Sequence, residues 1–431
     1  MMYYRKGKAI FLMVTMLSIT VLLFASNQTT IASHRVGYEI WFIDQSDTTA
    51  DGGGKLYIFN GANFKGGKGY KGTPEVIDLA QKASGIGDGV GKRPHMVFFN
   101  TEQTHAIISN VASGHVYILD AEFRDIVASI RMGNPDEQMR GAHAAIPSPD
   151  GSMIIVTNHK RLERIMTDYD NNKFDYNPSV ALDFNMTQDT THPDNWIVCP
   201  IFTPDSNYVF ATLRGGGLYV VDVKSTPMKI VEDFDLTQVS PNGCGGLVSS
   251  DGRSMFINSG GGTKGHPTGS DLYVFDLAGL SGEDPKVSQP VRIFTRSGFV
   301  DSHGMAWSKG SYLWVTDRAA NLIEVVDTAR TDEVGQIDLT KGDNSFDPAP
   351  DLIVSSPHKY LAFVTLRGPT PLTGNAADVN NAVGNSPGLG VIKIHKGGTS
   401  GSIWYMIPIS NMAGGTETAD PHGIGLRELR D

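Results

Sequence analysis

The stretch "DPHGIGLREL", residues 420–429, lies just before the end of the chain and resembles "DSHGMAWSKG" at residues 301–310. The latter opens a complete repeat. The former opens one that the chain has no residues left to finish. The missing remainder stands at the other end. "EIWFIDQSD" at residues 39–47, "GKLYIFNG" at 54–61 and "PEVIDLA" at 74–80 match the second, third and fourth strands of a unit whose first strand is absent. The two ends therefore complete one unit between them. Joining the ends of a row of sheets removes the open edges that a linear array would expose.

Six complete units lie between. They start "HMVFFNTEQTHAIISN" at His95, "HAAIPSPDGSMIIVTN" at His143, "CPIFTPDSNYVFATLRGGG" at Cys199, "CGGLVSSDGRSMFINSGGG" at Cys244, "HGMAWSKGSYLWVTDR" at His303 and "DLIVSSPHKYLAFVTLRG" at Asp351. Each carries three short β-branched or aromatic runs bounded by Gly, Pro, Asp or Asn. A fourth follows: "DIVASI", "SVALDF", "KIVEDF", "VRIFT", "EVGQIDL" and "SIWYMIPI". Four strands per unit at this spacing predict an all-β, seven-bladed β-propeller of four-stranded antiparallel blades, closed by N- and C-terminal strands sharing one blade. The His-opened "SPDG…VTN…VxD" pattern resembles the YVTN-type bacterial propellers. Their superfamily includes the propeller domains of nitrous oxide reductase, cytochrome cd1 nitrite reductase and methylamine dehydrogenase. The resemblance spans residues 34–431 and implies the fold, because one scaffold carries many chemistries.

Residues 1–33 read as an export signal. Arg5, Lys6 and Lys8 precede an apolar run over residues 9–25, and Ala25, Ala32 and Ser33 offer cleavage positions. The expected domains are thus a leader at 1–33 and a propeller at 34–431. The mature protein is expected in the periplasm, on the cell surface or outside the cell, with no stable membrane span once the leader is removed. The net charge of −10 and the lack of a basic stripe argue against nucleic-acid binding.

The residues opening the innermost strands are His95, His143, Cys199, Cys244, His303, Asp351 and His422. In a rotational repeat such positions lie on one circle at a mouth of the central channel. All seven are possible transition-metal ligands. Six of the chain's 12 His and 2 Cys residues fall there. Imidazole with thiolate favours copper, with zinc as the alternative. The resemblance points the same way: the nitrous oxide reductase propeller holds copper on hub histidines, and the copper-binding selenium-binding-protein family also uses propeller histidines. This chain has neither an all-His hub nor a CxxC. Two plainer readings stand beside the metal: histidine as a repeat signature bonded to the neighbouring blade, and a Cys199–Cys244 disulfide.

Loops between second and third strands should surround the same mouth. They carry Arg214, Arg318 and Arg367, with His159, Lys160 and Arg161 in "NHKRLER". Guanidinium forks suit a small anionic ligand; each Arg could instead pair with a carboxylate such as Asp301 or Asp317. Residues 158–174 and 368–388 read as long loops able to form a lid, and His266 as a further ligand. The expected function is an exported metal-binding propeller, serving as a redox enzyme or electron-transfer protein for a small anionic substrate, with a redox partner protein. The alternative is a non-enzymatic binding or scaffold propeller at the cell surface or in the periplasm. A calcium-dependent lactonase-like hydrolase ranks last, because the axis offers mainly His and Cys.

Overall fold

The computed structural model describes residues 37–64, 69–134, 141–260, 269–282, 284–298, 300–340, 346–373 and 382–430. The leader and His266 lie outside these residues. Among them the strands form seven principal antiparallel sheets and one small two-stranded ribbon. The fold is a seven-bladed β-propeller. The closing blade contains Gly37–Asp44, Lys55–Asn60 and Glu75–Asp78, and its innermost strand is Pro421–Leu429. That strand runs antiparallel to the first, from Gly37↔Leu429 to Asp44↔Pro421.

Second and third strands are buried on both faces, so they read as nearly unbroken apolar runs rather than as alternation. The period-2 geometry still sorts them. Met153 and Ile155 face one neighbouring blade, while Ile154 and Val156 face the other. Seven apolar clusters result, one at each contact between adjacent blades, including the contact across the closure.

Two expectations need correction. Residues 158–174 are not a loop. Arg161–Asp168 is the third strand of its blade, and only His159 and Lys160 make the turn before it. The expected fourth strand "SVALDF" is also displaced. The outer edge is Lys173–Tyr176, and only Leu182–Asp183 of that stretch pairs, at the other end of the same third strand. A charged sequence pairs here because this strand is at the outer rim, where side chains meet water.

Where the inner strands begin, five blades carry a bulge in which two residues oppose one. The pairs are His95 and Met96 against Ser109, Val198 and Cys199 against Thr212, His303 and Gly304 against Thr316, Asp351 and Leu352 against Thr365, and His422 and Gly423 against Ile43. The second-strand hydroxyl bonds the bulge and reaches across to the next blade. Thr316 Oγ1 accepts from Gly304 N at 2.8 Å and donates to Asp351 O at 2.5 Å. Thr365 Oγ1 donates to His422 O at 2.7 Å and Thr212 Oγ1 to Gly243 O at 2.5 Å. Ser109 Oγ donates to His143 O at 3.0 Å, and Asn258 Nδ2 to His303 O at 2.9 Å.

Deleting residues 421–431 should abolish cooperative unfolding of the whole propeller rather than fray one blade. The strand also ties into the next blade, through Arg427 to Ala121 O at 2.7 Å and Gln103 O at 3.1 Å. A truncated protein with an unchanged melting curve would contradict this. Thr365→Val leaves the His422 carbonyl without its partner and should cost about 1–3 kcal/mol, measurable by chemical denaturation against Thr295→Val, an exposed site on an outer strand.

Candidate metal centre at the channel mouth

The seven predicted side chains meet around the axis. His95 Nε2 is 3.2 Å from His143 Nε2, and the His95 ring stacks on His422 with centroids 3.8 Å apart. The Cys199 and Cys244 sulfurs stand 2.7 Å apart as buried free thiols. His303 Nε2 lies 3.2 Å from one Asp351 oxygen and His422 Nε2 3.8 Å from the other.

The positions are not all equivalent. The interblade bonds end on the carbonyls of His143, Val198, Gly243, His303, Asp351 and His422. Within its blade, Val198 therefore holds the place that the sequence repeat assigns to Cys199, whereas Cys244 keeps the place of His303: Gly245 N bonds Asn258 Oδ1 as Gly304 N bonds Thr316 Oγ1. Cys199 sits one residue further along its strand and lines only the lower channel, while Cys244 also lines the mouth. The same bulge opens the His303, Asp351 and His422 blades, whose ring residues take its first position; Cys199 takes the second.

Two triads emerge. His143, Cys199 and Cys244 offer ligand atoms all within 4.8 Å of one another, and so do His303, Asp351 and His422. The second triad is neutralised by arginine. Arg367 Nη1 bonds Asp351 Oδ2, while its Nε and Nη2 grip Asp420 at 2.6 and 3.0 Å. Arg318 holds Asp301 at 2.8 Å and reaches Asp351 Oδ1 at 3.5 Å. Burial alone would raise the Asp351 pKa. The His422 and His303 imidazoles and the two guanidinium groups instead hold it well below the usual carboxylate range. Arg318 and Arg367 are buried, whereas the Arg214 side chain is 43% exposed at the rim. Arg214 lies over Trp196, with His159 edge-on to the same indole at 4.1 Å.

In the first triad either sulfur could donate in the Cys199–Cys244 contact; the His303 and His143 rings beside Cys244 favour Cys199 as the donor. Despite burial, that bond and the nearby His303 and His143 hold Cys244 well below the ordinary thiol value. Burial pushes Cys199 up. The pair thus favours a single thiolate, on Cys244.

Gln45 escaped the sequence reading. It follows the second strand of the closing blade, as Arg367 follows its own, and this shared position is the signal that could have found it. Its amide nitrogen donates to Asp420 Oδ2 at 2.9 Å, so its oxygen accepts from His95 Nδ1 at 2.7 Å. This network assigns the His95 proton to Nδ1 and leaves the Nε2 lone pair facing His143. Above the ring, a cavity of about 290 Å³ opens among Trp196, Val198, Arg214, Asn242, Arg318 and Thr373.

No family model matches the chain, and no curated protein matches it in sequence. Solved structures do match in fold. A hypothetical selenium-binding protein from Sulfolobus tokodaii superposes with a TM-score of 0.63 at 10% identity, over 91% of this chain and 93% of that one. The periplasmic gluconolactonase of Pseudomonas aeruginosa gives 0.58 at 14% identity, over 91% and 100%. At these identities the likeness is one of architecture alone. Among the described residues no helix is long and apolar enough to cross a membrane.

Burial lowers the pKa values of His95, His143 and His422 below the ordinary 6.5. A base depressed in the folded state stabilises the fold above its unfolded pKa, and that contribution is lost as pH falls below it. Chelator-treated protein should therefore lose melting temperature between about pH 7.5 and pH 5, at roughly 1.4 kcal/mol per unit of depression for each group. Asp44 and Asp420, which burial raises, act in the opposite sense, so the His95 share is read as the slope removed by His95→Gln. An identical slope in that variant would show that His95 does not contribute.

Proposed function

We propose that the His143, Cys199 and Cys244 triad binds one transition-metal ion, copper before zinc, at the head of the propeller channel of an exported protein. The buried thiol pair carries the reading. It combines a thiolate, a second thiol and an imidazole within ligand distance of one another, a soft set suited to Cu(I) or Zn. The other triad fits a cation poorly, because two buried guanidinium groups already neutralise Asp351. Bound copper would supply one-electron exchange with a ligand or partner protein. The chain's own residues would do the rest. Gln45 and Asp420 fix the His95 ring behind His143, and Arg214 offers an exposed guanidinium to a small anionic ligand entering the mouth.

Chelator-treated protein kept reduced should take up one equivalent of Cu(I) in a competitive chromogenic titration. Cys244→Ser and His143→Ala should weaken uptake by about 100-fold or more, since even outer partners of a metal ligand are worth about 10–100-fold. Asp351→Asn should retain it. Protein that takes up neither copper nor zinc ends this reading.

A further inference from the structure

Below the thiol pair the channel changes character. A second cavity, of about 420 Å³, runs along the axis toward the opposite face. Cys244 lines both cavities, and Cys199 lines only the lower one. Every blade contributes apolar side chains to it, among them Phe98, Ile146, Leu247, Met305, Leu352 and Leu426. Apart from the two cysteines at its upper end, no lining side chain is ionisable, and Gln103 is the one amide. Five of the six named apolar residues are only half-buried, so apolar surface faces open space from all sides. Leaving such surface against water costs about 25 cal/mol per Å², and soluble proteins rarely concentrate it without use.

We infer that this lower channel binds an uncharged, largely apolar small molecule whose inner end reaches the Cys199 and Cys244 sulfurs. Its size and chemistry limit the occupant. A volume of about 420 Å³ equals roughly one turn of an α-helix of 10 Å diameter, so a protein segment does not fit. Apolar cavities of about 150 Å³ bind a benzene-sized molecule, so a fused aromatic or a short branched chain is the matching scale. An anion would find no cation, and a polar solute would leave hydrogen bonds unmade at a cost of about 1–3 kcal/mol each. The polar mouth and the apolar channel therefore present chemically different molecules to the two sides of one thiol pair. The inference does not require the metal, since apolar binding depends on the channel walls alone.

Naphthalene is a suitable probe, with naphthalene-2-sulfonate as its charged counterpart, on full-length chelator-treated protein followed by fluorescence. Saturable one-to-one binding of naphthalene is expected. Ile146→Trp and, independently, Leu247→Trp should weaken it about ten-fold or more by filling the channel, while Arg214→Ala and His143→Ala, neither of which lines the channel, should leave it unchanged. Bound naphthalene should also slow alkylation of the thiols by N-ethylmaleimide in the unsubstituted protein. Absence of saturable binding, equal binding of the sulfonate, or unchanged binding in both tryptophan variants would overturn the proposal. Because His143→Ala weakens metal uptake but spares naphthalene, failure of either idea is distinguishable from failure of the other.

Discussion

The hydrogen bonds that cross from each second strand to the next blade's inner strand are the constraint on which this molecule depends. Apolar packing between blades is abundant but permits sliding. A hydroxyl that must satisfy its own bulge and a neighbour's carbonyl does not, because a slip would leave buried polar groups unpaired. Ser109, Thr157, Thr212, Asn258, Thr316 and Thr365 play this part in six blades. The closing blade has Ile43 at that place and no hydroxyl to offer. There His422 Nδ1 donates to His95 O at 3.2 Å. The seam between the closing blade and the His95 blade is held by one of the ring imidazoles, so the contact that completes the ring and the site share a residue.

The same seam explains the buried charges. Asp420, Arg367 and Asp351 form a chain of ion pairs beside it, with Gln45 linking Asp420 to His95. Burying charge is costly unless each is paired and bonded, and here the guanidinium of Arg367 serves two carboxylates at once. The result is a channel mouth with two unlike halves. One is salt-bridged and electrically satisfied. The other keeps two thiols and an imidazole with no cation against them. A metal ion, if one binds, has only the second half open to it on electrostatic grounds.

Much of this was legible in the sequence, for a definite reason. Whatever repeats with the blade is visible as a repeat, which is why closure by residues 420–429 and the gathering of His95, His143, His303, Asp351 and His422 could be read before any coordinates. What breaks the repeat was not visible. The bulge placing Val198 in the ring and Cys199 one step below it changes no residue type in the pattern. The strand Arg161–Asp168 looked like a loop because its sequence is charged, yet Glu163 and Arg164 are buried, bonded to Asn158 and Tyr176 and to Val223 O and Thr226 respectively. For Arg318 and Arg367 the sequence left open a ligand or a carboxylate partner such as Asp301, and the structure pairs Arg318 with Asp301 and Asp351 and Arg367 with Asp351 and Asp420.

The one-residue displacement of Cys199 has a consequence for how the axis is organised. Had it stood level with the imidazoles, all seven groups would share one aqueous mouth. With Cys199 one step deeper and Cys244 in the ring, the pair forms the boundary between a polar, charged cavity and an apolar one. A Cys244 thiolate at such a boundary is stabilised by its bond to Cys199 and by the His303 and His143 rings, and the apolar channel adjoins it on its other side. Charge and dielectric therefore change across a single pair of side chains. This asymmetry gives the two sulfurs unequal roles: Cys244 is exposed to both compartments, while Cys199, raised by burial, supplies the proton that holds the thiolate in place.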